Sequence, residues 1–132
     1  MGLNLDKILS DFVVLEDWED RYGYLIELGM ELPPLPEAYR VPENKVPGCT
    51  SQVWLVASWP EDKLQLAMDS DAMIVKGLLA LLHAAYVGKT RAEVQEIDVQ
   101  TLFQELDLEQ HLTINRRNGF AAVNQYIQAT AA

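Results

Sequence analysis

The sequence predicts an α+β fold: a small three-stranded antiparallel sheet with helices packed on one side. Three observations carry this expectation. From Gln52 to Trp59 the pattern has period two, with Val53, Leu55 and Ala57 on one face and Trp54 and Val56 on the other. Alternation resumes at Leu64, Leu66 and Met68 after Pro60-Glu61-Asp62-Lys63, which reads as a turn, so the two segments form a hairpin. Most of the remaining chain repeats at helical spacing. Because a lone hairpin is marginal in water, a third strand is expected before or near Cys49.

The elements follow in order. Leu5, Ile8, Leu9, Phe12 and Val13 give a first amphipathic helix. A second follows near Trp18, Tyr22, Leu25, Ile26 and Gly29, with Glu16, Asp17, Glu19 and Asp20 where a helix N-terminus favours acids. Trp18, Tyr22 and Tyr24 read as packing residues. Residues 33–48 carry Pro33, Pro34, Pro36, Pro42 and Pro47, a long irregular segment of the kind that is often functional, and it leads to Gly48-Cys49. After the hairpin, residues 72–87 are nearly all apolar and form the central helix, with Ser70 or Asp71 as its N-cap and Gly88 at its end. Thr90 and Glu93 make a capping-box pattern for a short helix over 91–96. Another short helix is expected near 99–106, and a last one over 115–129 presents Phe120, Val123 and Ile127.

With 132 residues, the chain is the length of one domain, residues 1–132, and can bury a core without disulfides or a structural metal. Its 49% hydrophobic and 23% charged residues argue against disorder. Its longest apolar stretch carries Lys76 and is too short to span a bilayer, and no secretory leader is read at its start. Gly2 is followed by Asp6 where a myristoylation signal has Ser or Thr. Twenty acids against 10 bases give a net charge of −10, a poor match for a nucleic-acid backbone. The imbalance is uneven: residues 93–112 hold six acids and no base, whereas 113–132 hold Arg116, Arg117 and no acid. The lone cysteine, Cys49, excludes an internal disulfide and an all-cysteine metal site, and fits the reducing cytoplasm.

Chemistry concentrates at VPGCTSQVWLV, residues 46–56. Glycine beside the cysteine permits backbone geometry that other residues resist. Cys49 there is either a reactive thiol or a buried structural one. The cations Arg40, Lys45, His83, His111, Arg116 and Arg117 stand at no diagnostic spacing from it. His83 lies in an apolar helical run and reads as a core histidine; His111, at a helix entry, reads as loop packing. Asp69, Ser70 and Asp71 precede the central helix, and no second carboxylate cluster completes a metal site with them.

VPGCTSQVW, taken with DSDAMIVKGLLA, HLTINRRNG and RYGYLIELG, resembles the SufE/CsdE family of sulfur-acceptor proteins. The four blocks stand in the family's order across residues 21–120. The resemblance implies a fold similar to iron–sulfur scaffold proteins. It also implies a carrier without independent turnover that takes persulfide sulfur from a cysteine desulfurase, stimulates that enzyme, and delivers the sulfur to an iron–sulfur scaffold complex. The pyridoxal phosphate of that exchange belongs to the desulfurase, and this chain is expected to hold neither cofactor nor metal. The family's acceptor cysteine falls on Cys49. Gly48, Ser51, Gln52, Asp69, Asp71, Lys76, Arg116 and Asn118 fall on motif positions and are expected to bind the partner. Asn44 and Gly119 also fall on motif positions, and the match leaves open which of these touch the partner, shape the loop or only fold the domain. Met68 stands where the family commonly has glycine, and Ile114 where many members have proline. A monomer or weak homodimer is expected, with neither nucleic acid nor membrane as a partner.

A persulfide is easily lost in water, so its carrier should shelter it, for instance against Val46 and Trp54. Burial would raise the free thiol's pKa and keep it quiet. Two other readings remain: a regulatory binder of a desulfurase that carries no sulfur, and a cysteine-dependent hydrolase or peroxidase. An iron–sulfur scaffold is poorly served by one cysteine and two dispersed histidines.

Overall fold

Side chains that satisfy exposed backbone amides start most of the helices. In the computed structural model, which describes residues 3–48 and 51–132 (Glu109 without its side chain), helix α1 (Leu5–Val14) opens at Asn4, whose Oδ1 accepts the Lys7 amide at 3.0 Å. Helix α2 (Trp18–Glu31) opens at Asp17, which accepts the Glu19 amide at 2.9 Å. Gly2 and Cys49, on which two of the sequence expectations fall, lie outside the described residues.

The proline-rich segment forms two single 3-10 turns, Glu37–Tyr39 and Pro42–Asn44, and then meets the sheet. Strands β1 (Val53–Ser58) and β2 (Gln65–Ser70) pair antiparallel, from Val53 opposite Ser70 to Ser58 opposite Gln65. Glu61 and Asp62 both take left-handed conformations between the strands (φ 53° and 62°), the sense that matches the twist of a tight hairpin. Val53, Leu55, Leu66 and Met68 bury one face of the pair, and Met68 lies opposite Leu55.

The three-stranded sheet expected from the sequence is corrected here: among the described residues the sheet has two strands. The third reduces to one bridge between Lys45 and Trp54, with the Val46 amide donating to the Val53 carbonyl at 2.9 Å. The physical reason is local. Pro42 and Pro47 have no amide proton to continue a ladder, and Gly48 (φ 85°) turns the backbone out of the extended region. The hairpin is supported instead by packing on the helical layer.

That layer centres on α3 (Met73–Tyr86), which buries Gly77 through Leu82, Ala85 and Tyr86. Two glycines let α2 and α3 approach closely. A Cβ on Gly77 would overlap the Leu25 carbonyl oxygen, and one on Gly29 would sit 2.8 Å from Lys76 Cβ. The expected Ser70 or Asp71 cap is not the one that forms. Ala72 is the boundary residue and makes no side-chain cap; Ser70 Oγ accepts the Ala72 amide at 3.2 Å, and Asp71 is turned to Gln52. Gly88 (φ 86°) ends the helix, and its amide donates to the Leu64 carbonyl at 2.8 Å.

The capping box of Thr90 and Glu93 forms as expected at α4 (Arg91–Glu96). Helix α5 (Val99–Glu105) follows. A one-turn helix not foreseen in the sequence, α6 (Leu108–His111), then starts from a left-handed Asp107. Helix α7 (Ile114–Ala131) is capped by Thr113 and buries Phe120, Val123, Ile127 and Ala131. It is tied to α3 by Tyr86, whose hydroxyl donates to Asn124 Oδ1 at 2.5 Å and accepts from Gln128 Nε2 at 2.8 Å.

Candidate functional site

Alternation along β2 places Asp69 on the face opposite the main core, across from Trp54 on β1. Asp69 is nevertheless only 4% exposed. An isolated carboxylate could not remain there, and three donors hold it. Arg40, from the proline-rich segment, pairs with Oδ2; Lys76 Nζ, from α3, lies 3.3 Å from Oδ1; and the Ser70 amide donates to Oδ1 at 2.8 Å. The Arg40 guanidinium also lies over the Trp54 ring, 5.6 Å from its centre. Asp69 thus joins the proline-rich segment, the hairpin and the central helix at one point.

Two residues further, the exposed Asp71 accepts the Gln52 amide at 3.1 Å through Oδ1 and the Gln52 side chain at 3.4 Å through Oδ2. With the Val46–Val53 bond, this fixes both arms of the segment that contains residue 49. Gly48, on the near arm, faces α7: a Cβ there would touch Ala122 Cβ at 3.4 Å.

Beside these arms, α3 and α7 enclose a pocket of about 230 Å³. Val75, Leu79 and Phe120 are among its apolar lining, and Ser51 and Arg116 also border it. Gly119 lines it as well. No described carboxylate pairs with Arg116, which is exposed. Neither histidine lines the pocket. His83 is half-buried on α3, and burial pushes its pKa below the ordinary 6.5. His111 stacks on Trp18 at 3.9 Å, lies 3.5 Å from Asp107, and accepts the Tyr22 hydroxyl on its carbonyl.

The residues singled out in the sequence therefore fall into separate groups. Asp69 and Lys76 meet directly, Gln52 and Asp71 meet directly, and Ser51 and Arg116 share the pocket. Asn118 lies on another side of α7, bordering a different groove. Asn44 donates to the Tyr39 carbonyl at 2.9 Å and braces the proline-rich segment. Arg40 was visible in the sequence only as one of several cations; its pairing with Asp69, 29 residues away, follows no local pattern. Thr113 and Asn115 at the pocket also went unmarked, although HLTINRRNG contains both. Among the described residues no group of three or more His, Cys, Asp or Glu could hold a metal ion, and no helix is long and apolar enough to cross a membrane.

A helical layer on an antiparallel hairpin, with a buried carboxylate at the strand end and an apolar pocket beside a cysteine-bearing segment, defines an α+β class of known architecture. A hypothetical protein from Thermus thermophilus has the same fold: its solution structure superposes with a TM-score of 0.78 at 25% identity, covering 96% of this chain and 92% of that one. The family profile described as the Fe-S metabolism associated domain, SufE, matches residues 6–131, and the chain belongs to this family. Relatives include uncharacterized SufE-like proteins of Rhizobium etli, 46% identical, and Rhizobium meliloti, 44% identical. Each match spans 97% of this chain and 89% or 94% of the relative. Membership connects the chain to iron–sulfur metabolism.

Proposed function

We propose that the protein is a sulfur carrier that accepts persulfide sulfur from a cysteine desulfurase onto Cys49, stimulates that enzyme, and passes the sulfur to an iron–sulfur scaffold complex. The observation that carries this reading is the family match over residues 6–131 joined to a single cysteine between Gly48 and Ser51. Support also comes from the frame on either side of that cysteine, where the Val46–Val53 and Gln52–Asp71 bonds set where its segment begins and ends.

In the transfer, the Cys49 thiolate attacks the terminal sulfur of the desulfurase's cysteine persulfide. A new S–S bond forms on Cys49, the old S–S bond breaks, and the desulfurase cysteine leaves as a thiolate. No oxidant is consumed. The absence of a second cysteine means that no internal thiol can discharge the product as a disulfide. The apolar pocket that begins at Ser51 is the shelter for the persulfide between partners. Gln52, Asp71, Arg116 and Asn118 are exposed and meet the desulfurase, whereas Asp69 acts from within by holding Arg40 and Lys76. Gly48 gives the loop its turn. The carrier works in the cytoplasm as a monomer or weak homodimer, and holds no cofactor of its own.

The test is the intact mass of the protein after incubation with a cysteine desulfurase and free cysteine, without reductant, beside Cys49→Ser. A gain of one sulfur mass that reductant reverses and the variant lacks is the expected result. A desulfurase that binds the protein and is stimulated equally by Cys49→Ser, with no mass gain, would instead identify a regulatory binder.

A further inference from the structure

On the other side of α7 from the Arg116 pocket, a groove of about 270 Å³ runs between α5 and the first two turns of α7. Ile114, Arg117 and Asn118 border it at helical spacing from α7, and Gln100 and Phe103 come from α5. Phe103 and Phe120, stacked with ring centres 4.5 Å apart, support its floor. Ile114 at the lip is 64% exposed, a large apolar side chain left in solvent.

Among the described residues that border the groove, Arg117 carries the one charge. Arg21 donates to two carbonyls, Arg40 pairs with Asp69, and Arg91 pairs with Asp62. Arg117 has no such partner, although acids outnumber bases by 20 to 10. Its Nε is shut off from solvent, and no described group accepts its proton. The guanidinium as a whole is half-buried, borders the groove and is unpaired among the described residues, so a carboxylate entering the groove would form a charge-assisted bond with it. The side chains of Gln100 and Asn118 flank the position with donors of their own.

We propose that this groove binds an acidic peptide segment of a partner protein, with a carboxylate on Arg117 and a neighbouring aliphatic side chain against Ile114 and Phe103. A single guanidinium beside an apolar lip matches one carboxylate next to an aliphatic side chain and not the regular phosphates of a nucleic acid. The inference does not depend on the sulfur-carrier reading, because Arg117 and Ile114, which carry it, have no part in that reading.

The experiment titrates the full chain, labelled with nitrogen-15, with the peptide Ac-Leu-Glu-Leu-Glu-NH2, and in parallel with Ac-Leu-Gln-Leu-Gln-NH2. Saturable shifts of the Gln100, Arg117 and Asn118 amides are expected with the acidic peptide. Binding should be about tenfold weaker for the glutamine peptide and for Arg117→Ala or Arg117→Gln, a loss in the range of one charge-assisted contact. Two variants at the position, each checked by its own amide spectrum, guard against a folding defect, and Lys89→Ala should bind like the parent. Equal shifts with both peptides, unchanged binding by both Arg117 variants, or no shift at millimolar peptide would overturn the proposal. Broadening of the same amides with protein concentration alone would assign the groove to a second copy of the chain, and overturn it too.

Discussion

Arg40 and Asp69, 29 residues apart in sequence, meet as an ion pair on the face of the hairpin turned away from the main core. The pair is asymmetric: the Asp69 side chain is 6% exposed and that of Arg40 is 39% exposed. Arg40 can return to water if it loses its partner, but Asp69 cannot. Arg40→Ala should therefore destabilise the fold by about 1–3 kcal/mol in urea unfolding, less than a fully buried pair would lose, because Lys76 and the Ser70 amide still hold the carboxylate. Arg40→Lys should recover part of the loss. The combined Arg40→Ala and Asp69→Asn variant should lose less than the sum of the two single changes; strict additivity would mean that the two groups do not interact in solution.

Asp71 holds the Gln52 amide from the surface. Asp71→Ala should speed hydrogen exchange at Gln52 by about tenfold, through local opening, while global stability changes by less than about 1 kcal/mol. Unchanged exchange at Gln52 would show that this bond does not restrain the arm that follows residue 50.

Gly77 and Gly23 separate two effects of adding one methyl group. At Gly77 the methyl meets the Leu25 carbonyl where α2 crosses α3, so Gly77→Ala should cost about 3 kcal/mol through overpacking. At Gly23, on α2, nothing lies within 4 Å of the added Cβ. Gly23→Ala should stabilise by about 0.5–1 kcal/mol, because alanine loses less backbone freedom in a helix. Denaturation midpoints that move the same way in both variants would contradict the close helix approach.

His83 makes stability sensitive to mild acid. Burial lowers its pKa in the folded chain below the ordinary 6.5, so below pH 6.5 the unfolded chain takes up a proton that the folded chain resists. Stability should be unaffected by this group above 6.5 and should fall as the pH is lowered from 6.5 towards the depressed value. His83→Gln should flatten that part of the profile of unfolding free energy against pH. A wild-type profile that His83→Gln leaves unaltered in that window would place the sensitivity elsewhere.

The Thr90 and Glu93 capping box should be worth about 1 kcal/mol, measured as the loss on Thr90→Ala. Glu93 contributes through the Thr90 amide, which also holds its carboxyl below the usual range.

Helices with a regular apolar stripe or a short-range cap were legible before folding. Residues 72–87, the Thr90 box and the Gly88 terminus all declare themselves within a few neighbours, and each forms where the pattern puts it. A third strand is what a hairpin requires, but no residues before Cys49 pattern as one. The prolines and Gly48 limited it to one bridge. Helix α6 was hidden for the opposite reason: four residues are too few to show a period. Ser70 and Asp71 looked like caps because they precede a helix, but Asp71 has a nearer donor in Gln52 across the hairpin.

The sequence by itself determined the composition of the site: one cysteine in VPGCTSQVW, the Asp-Ser-Asp before the central helix, the Arg116 motif, and the family those blocks resemble. Such features are local, set by residue identity and short spacing. The tertiary structure alone decided which of them meet. It turned Asp69 inward onto Arg40 and Lys76, left Asp71 at the surface beside Gln52, joined Ser51 and Arg116 around one pocket, and sent Arg117 and Asn118 to another. Burial of a carboxylate requires partners drawn from distant segments, and those are chosen by the packing of helices on the hairpin, which no short stretch of sequence records.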